Sequence, residues 1–428
     1  MVLDRKNAPK IHDAISFDYA LPLINQDKLD NGTPFYWLNA GVQDVVEVDW
    51  VFPAGVWQEP KEGVAQATSQ QLKSGTSTKT SQEINEALEF YGASLRVRAG
   101  NDTSTVSLFT LTKHLHALLP IVHELLTDAT FPEEELNIYK QNTLQRLLVS
   151  LRKCDFVSNQ LIDAAVFGEE HPYGRFTKRE SIEAITQEDI KGFYKNNYDL
   201  SKVKIFMAGK IGKKETQQIN DLFGKNVVEH TSDKSSSSFE IKPITNRKQA
   251  VDNDPNGLQG AIRIARRFPN RHHEDFPALV VTNTLFGGYF GSRLMSNIRE
   301  DKGYTYGIYS SMTPMINDGS LTIQTEVGKD VVKAAIDEVY KEMDMLCNEK
   351  PADDELLLVK NYLLGNLLGD LDGPFSILQR WRTIILHGLS IDTFDRNIEV
   401  YKSLTPTQVL DQAQKYFNKA DFHEVVVI

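Results

Sequence analysis

Catalysis needs nucleophiles, acids and bases, or metal ligands at spacings that let them converge, and this sequence offers few self-contained sets. It has no G-x-x-x-x-G-K-[ST] phosphate loop, no G-x-G-x-x-G, no G-x-S-x-G elbow and neither order of the two-histidine zinc helix. His272-His273-Glu274-Asp275 has ligand chemistry, but neighbouring residues on a helix point about 100° apart, so the run reads as the surface start of a helix. His114 and His116 fall in a strand-to-helix region, with His123 on the next helix, and share no focus. Cys154 and Cys347 are the two cysteines. They read as free core thiols in helical apolar contexts and fit a reducing compartment.

Two longer stretches remain, and their chemistry depends on the elements that hold them. The first runs Gly63-Val-Ala-Gln66-Ala-Thr-Ser69-Gln70-Gln-Leu72-Lys-Ser-Gly75-Thr76, and the second Ser292-Arg-Leu-Met-Ser-Asn-Ile-Arg299-Glu-Asp-Lys-Gly303-Tyr-Thr-Tyr306. Around the first, a strand at Val46–Phe52 leads to a helix reaching Leu72, a helix at Ser81–Tyr91 closed by Gly92, and strands at Ser94–Arg98 and Ser104–Leu111. Around the second, the order repeats: a strand at Ala261–Arg266, a helix reaching Leu285 before Gly287-Gly288, a helix at Ser292–Glu300 closed by Gly303, and strands at Tyr306–Ser311 and Ser320–Thr325. Phe52 and Phe268, Leu72 and Leu285, and Ser107 and Ser320 are each separated by roughly 215 residues, the mark of a duplicated domain. Both copies end alike. Thr186 and Thr405 read as N-caps of helices reaching Tyr198 and Phe417, followed by strands at Val203–Met207 and Val425–Ile428. Long amphipathic helices are expected at Glu133–Leu151 and Asp353–Leu368.

The fold class expected is therefore α+β, a tandem of two domains each with an antiparallel-rich mixed sheet packed on helical hairpins. The Ser-rich run Thr231–Phe239 marks the junction. It divides the 428 residues into a domain at 1–230, a linker at 231–247 and a domain at 248–428. A formal net charge of −11 argues against nucleic acid, whose binding needs clustered Lys and Arg. No apolar run reaches the ~18–20 residues of a membrane span. The start Met1-Val-Leu-Asp-Arg-Lys-Asn lacks an apolar signal core, so a cytoplasmic location is expected, or a periplasmic one if a signal was removed.

On these residues the chain resembles the pitrilysin/insulinase-like zinc metallopeptidases (inverzincins), including the mitochondrial processing peptidases and the core subunits of respiratory complexes. That family reads G-[L/V]-A-H-x-x-E-H on its first helix, then a Leu and a G-T pair. Gly63, Ala65, Leu72, Gly75 and Thr76 match, and the resemblance extends to His171-Pro-Tyr-Gly-Arg175 and to the duplicated architecture. The metal residues do not match. Gln66 and Gln70 replace the histidines, Ser69 replaces the catalytic Glu, and the helix carrying the third ligand reads Thr143-Leu-Gln145-Arg146-Leu147. Carboxamides and a hydroxyl are poor zinc donors, and a serine cannot serve as the base. No cofactor is expected in this chain.

The second stretch matches the family's S-R-L-x-x-x-[I/L]-R-E-x-x-G-x-x-Y segment, so the resemblance assigns Arg299 and Tyr306 to contact with the scissile carbonyl. A guanidinium and a phenol on rigid elements suit a developing oxyanion. Gly287 and Gly288 fall where relatives carry a glycine-rich substrate loop, and close backbone packing explains them equally. The family works as a clamshell of four such domains, and this chain supplies two. The resemblance thus implies a non-zinc subunit of a heterodimeric peptidase. A homologous zinc-bearing partner would bring the zinc, and a peptide or unfolded polypeptide would be the substrate. A catalytically silent scaffold and a homodimeric peptide-binding clamshell are the alternatives.

Overall fold

The computed structural model describes residues 13–225 and 238–428. The expected linker lies partly outside the described residues. Six strands, β1 (Asn25–Lys28), β2 (Pro34–Asn39), β3 (Val45–Phe52), β4 (Ser94–Ala99), β5 (Ser104–Leu111) and β6 (Lys204–Gly209), form a sheet in the order β1-β2-β6-β3-β5-β4. Five more, β7 (Lys248–Val251), β8 (Gln259–Arg267), β9 (Thr305–Pro314), β10 (Gly319–Gly328) and β11 (His423–Val427), form a second in the order β7-β11-β8-β10-β9. The parallel pair β2·β6 recurs as β7·β11, and the antiparallel run β6·β3·β5·β4 recurs as β11·β8·β10·β9. The duplication read from the spacing is thus a repeat of strand order and direction.

The helices of the first half are α1 (Val64–Gln71), α2 (Ser81–Phe90), α3 (Leu115–Asp128), α4 (Glu133–Ser150), α5 (Cys154–Phe167), α6 (Arg179–Glu183), α7 (Gln187–Asn197) and α8 (Lys213–Phe223). Those of the second are α9 (Phe276–Asn283), α10 (Val332–Asn348), α11 (Asp353–Asp370), α12 (Pro374–Leu386), α13 (Asp392–Ser403) and α14 (Pro406–Tyr416). Capping chemistry sets several starts. Thr80, Thr186 and Thr405 each accept the backbone N–H three residues on, while Glu83, Asp189 and Gln408 reach back to the cap N–H. Pro406 occupies the first turn of α14, where its missing N–H costs nothing.

One arrangement is invisible to sequence pattern: each half covers the outer face of its sheet with a helix from the other half. Ile162, Val166 and Phe167 of α5 pack with Ala265, Val425 and Val427 of the second sheet. Reciprocally, Ile377, Leu378 and Trp381 of α12 pack with Val51, Phe206 and Ala208 of the first. Each such side chain removed from water stabilises the docked helix by about 1.5–3 kcal/mol. An ion pair anchored on a buried sheet residue holds each helix. Arg263 of β8, 2% exposed, pairs with Asp155 of α5, and its Nε donates to Asn159 Oδ1 at 2.8 Å. Asp49 of β3, 5% exposed, pairs with Arg382 of α12. The two clasps have opposite polarity: the sheet residue is basic in one and acidic in the other.

The hairpin tips of the two halves also meet. Asp102, between β4 and β5, accepts from the Ile316 N–H at 3.0 Å, from Asn317 Nδ2 at 3.2 Å and from the Tyr173 hydroxyl. This junction joins the two sheets across the middle of the chain. The His171-Pro-Tyr-Gly-Arg175 segment is thereby structural: His171 is buried and Tyr173 bridges the halves.

Candidate functional site

Gln66, Ser69 and Gln70, the residues expected at the zinc-box positions, lie on α1, whose first turn is fixed by Glu59. That buried carboxylate accepts the Ala65 N–H at 3.0 Å and pairs with Arg175 at 3.4 Å. Burial raises the Glu59 carboxyl, partly offset by the Ala65 N–H and Arg175. Gly63, at φ +84, makes the left-handed entry to the helix. Gln66 and Gln70 are one turn apart and exposed on the same face, as the histidine spacing requires. Ser69 points inward: it is 1% exposed and its Oγ donates to the Gln66 carbonyl at 2.9 Å.

The helix facing α1 is α4. There Arg146 Nε donates to the Asn142 carbonyl at 3.3 Å and Nη2 to Thr143 Oγ1 at 3.1 Å. Arg146 and Tyr139 form the wall between two cavities, one of about 330 Å³ reached by Gln66 and one of about 290 Å³ reached by Gln70. A catalytic zinc ion does not fit this donor set. Two carboxamides and a committed hydroxyl face a guanidinium, which repels a cation. Among the described residues no three His, Cys, Asp or Glu side chains are grouped to hold a metal.

The second site is built from the segment between α9 and β9. The expected helices are wound differently here: residues Thr284–Gly288 and Met295–Asp301 are π-helical, a form often found at functional sites. Met295 and Ile298 are buried and anchor the segment. Arg293 makes a two-pronged bond to Glu355 of α11, at 2.7 and 2.8 Å. Asn297 Nδ2 donates to Glu338 at 2.8 Å and Glu342 at 2.7 Å, both on α10. Gly303, at φ +66, closes the segment as the sequence predicted.

Arg299 emerges from this anchored segment with its guanidinium 4.5 Å from the Phe290 ring centre and 6.0 Å from that of Tyr306. Such stacking contributes about 0.5–1 kcal/mol at an exposed site and leaves the N–H edge free to donate. Tyr306 is 94% exposed. It is the second residue of β9, not the first, and a bulge sets Tyr306 and Gly307 together opposite Glu326 of β10. A bulge turns a side chain out of the ladder's alternation. Thr305 stabilises it, its Oγ1 lying 2.7 Å from the Glu326 carbonyl and 3.1 Å from the Gly307 N–H.

Gly287 is buried, and a Cβ there would lie 2.7 Å from Ser310 Cβ and 2.8 Å from Leu294 Cδ1, so close packing requires the glycine. Gly288 is half-buried beside it, and the exposed tip of the stretch is Phe290. The structure thus unites Arg299 and Tyr306 and places Gln66, Ser69 and Gln70 on the other half. The residues 272–275 form the turn before α9, with Asp275 bonding Lys415 and Tyr416. Cys154 and Cys347 are free and half-buried. Sequence reasoning missed Phe290, Arg293 and the exposed cation at Arg146. Only the last had a readable signal, a basic residue within the segment that should carry an acidic ligand.

Residues 184–363 match the family model described as the peptidase M16 inactive domain. Among curated proteins, an uncharacterized zinc protease of Bacillus subtilis is 21% identical over 80% of this chain and 83% of its own length. One from Mycobacterium leprae is 21% identical over 83% and 80%. Among solved structures, the peptidase M16 inactive domain from Pseudomonas fluorescens superposes with a TM-score of 0.82 at 22% identity, covering 94% of this chain and 98% of that one. The periplasmic protease PqqL from Escherichia coli superposes with a TM-score of 0.73 at 16% identity, covering 95% of this chain but 47% of that one. With its two mixed sheets and paired helices the chain has the fold of these M16-like proteins, and residues 184–363 match the peptidase M16 inactive domain.

Proposed function

We propose that this chain is the non-metal half of a two-subunit peptidase. The observation that carries the reading is the Arg299 and Tyr306 pair: two hydrogen-bond donors held on an anchored segment and a bulged strand, with the phenol almost wholly exposed. A side chain this exposed contributes little to folding, so the effort of fixing its neighbours is explained by something that it meets. In this reading it meets the carbonyl of a peptide held by a homologous subunit with an intact His-x-x-Glu-His helix, which supplies the zinc and the base. Arg299 and Tyr306 donate hydrogen bonds to the carbonyl oxygen as negative charge develops there. Coverage of about half of a longer protease by this fold supports a half-clamshell.

The experiment mixes this chain with a zinc-bearing homologue from the same organism and follows hydrolysis of a quenched fluorogenic peptide. Activity should require both chains and be lost with a chelator. Arg299→Ala should lower kcat by about 10²–10³, and Tyr306→Phe by less. Full activity with both substitutions would overturn the reading, as would chelator-insensitive hydrolysis by this chain alone. A stable homodimer that binds peptide without cleaving it would replace it.

A further inference from the structure

The cleft that cannot hold zinc is not featureless. The 330 Å³ cavity between α1 and α4 has an apolar floor that includes Phe156, Ile182 and Ile185, and polar edges at Gln66 and Thr143. Arg146 is the one charged residue lining it. It makes no ion pair among the described residues, and neither Nη1 nor the Gln66 carboxamide has a protein partner there. Four arginines set against other elements of the fold are neutralised, Arg175, Arg263, Arg293 and Arg382, by Glu59, Asp155, Glu355 and Asp49. A guanidinium set over an apolar pocket beside a free carboxamide is complementary to one chemical group, a carboxylate joined to an apolar residue. The volume is at the low end of small-ligand sites, enough for a residue or two.

We infer that this cavity binds a peptide carboxylate through Arg146 and Gln66, with the adjoining side chain lying on Phe156, Ile182 and Ile185. A fixed cation on α4 then holds an anionic peptide group at the cleft that serves metal chemistry in zinc-bearing relatives. The carboxylate has two possible sources, a peptide's own C-terminus or an Asp or Glu side chain. The inference does not rest on the paired-subunit reading, because it concerns binding by this chain alone.

The test uses the full chain and fluorescein-labelled hexapeptides read by fluorescence anisotropy. One peptide ends in leucine with a free carboxylate, one is its carboxamide, and two further carboxamides carry an internal Glu or Gln. The free acid, or the Glu peptide, should bind ten- to a hundredfold more tightly than its neutral counterpart, the range for hydrogen bonds to a charged group. Whichever does identifies the source. Arg146→Gln should abolish that preference while leaving neutral-peptide affinity unchanged, and Gln66→Ala should reduce it a few-fold. Arg146 is exposed, so these variants should melt with the wild type. Equal affinity for charged and neutral peptides would overturn the inference, as would a preference that survives Arg146→Gln.

Discussion

The two halves share one strand order but differ at the corner between the first long strand and the edge hairpin. In the first half α1 and α2 are regular, and β4 pairs with β5 without interruption from Ser94↔Phe109 to Ala99↔Ser104. The connection between α1 and α2 is tied down. Glu124 of α3 accepts from Thr76 Oγ1 at 2.5 Å, from Lys79 Nζ at 2.5 Å and from the Thr78 hydroxyl. In the second half both helical stretches end in π winding, β9 is bulged, and the connection leaves Phe290 57% exposed. Irregular winding costs hydrogen-bond quality, and it accompanies the half that presents Arg299 and Tyr306. The half that carries α1 and α4 has no comparable distortion. Duplication supplied the same frame twice, and the two copies differ in how its corners are wound.

Perturbing equivalent positions tests that comparison. The clasps should respond most. Arg382→Ala strands Asp49, whose Oδ1 already lacks a partner, and should cost about 3–5 kcal/mol in chemical denaturation. Asp155→Ala should cost less, about 1.5–3 kcal/mol. Arg263 keeps Asn159 and the carbonyls of Ile262 and Thr325. Equal losses would mean that the two clasps are interchangeable.

Glu124→Gln probes the tied-down connection. Burial raises the Glu124 carboxyl, but bonds from Lys79, Thr76 and Thr78 outweigh it and hold the group at about 2, below its ordinary 4.5. A depressed carboxyl stabilises the fold fully above its unfolded value, and the contribution fades as pH falls from about 4.5 towards 2. The substitution should cost about 1.5–3 kcal/mol at pH 7. The difference in melting temperature from wild type should shrink across that acid window, and a constant difference would show that charge is not what ties the loop.

The smallest effect is expected at the closing glycines. Gly92 (φ +61) and Gly303 (φ +66) have open space where a Cβ would go, so each Gly→Ala change should cost about 1 kcal/mol of left-handed strain alone. A larger loss at Gly303 would show that the π-wound segment is more sensitive than its regular counterpart.

Much of the frame was legible because it rests on local chemistry. Thr186 and Thr405 announced their helices by cap residues, Gly92 and Gly303 ended theirs by backbone freedom, and the strand pairs showed alternating burial. The exchange of α5 and α12 was not legible, since an apolar helix face does not say which sheet it covers. The π winding depends on Arg293 and Asn297 finding partners on α11 and α10, some 40–60 residues away. At the site, Gln66, Ser69 and Gln70 could be read as lost donors, but the inward turn of Ser69 and the lone charge at Arg146 required the packing of α1 against α4.

Opposite clasp polarity has a consequence for how this chain could be divided. A fragment ending at residue 225 would retain α5 but lack α12, leaving the apolar face of Val51, Phe206 and Ala208 bare. Two such fragments could not cover each other by trading α5, because Asp155 of one would approach Asp49 of the other. Two copies of the second half would likewise bring Arg382 towards Arg263. Each fragment is therefore mated to its counterpart and blocked from its twin, so that the covalent link between the halves joins units already selective for one another.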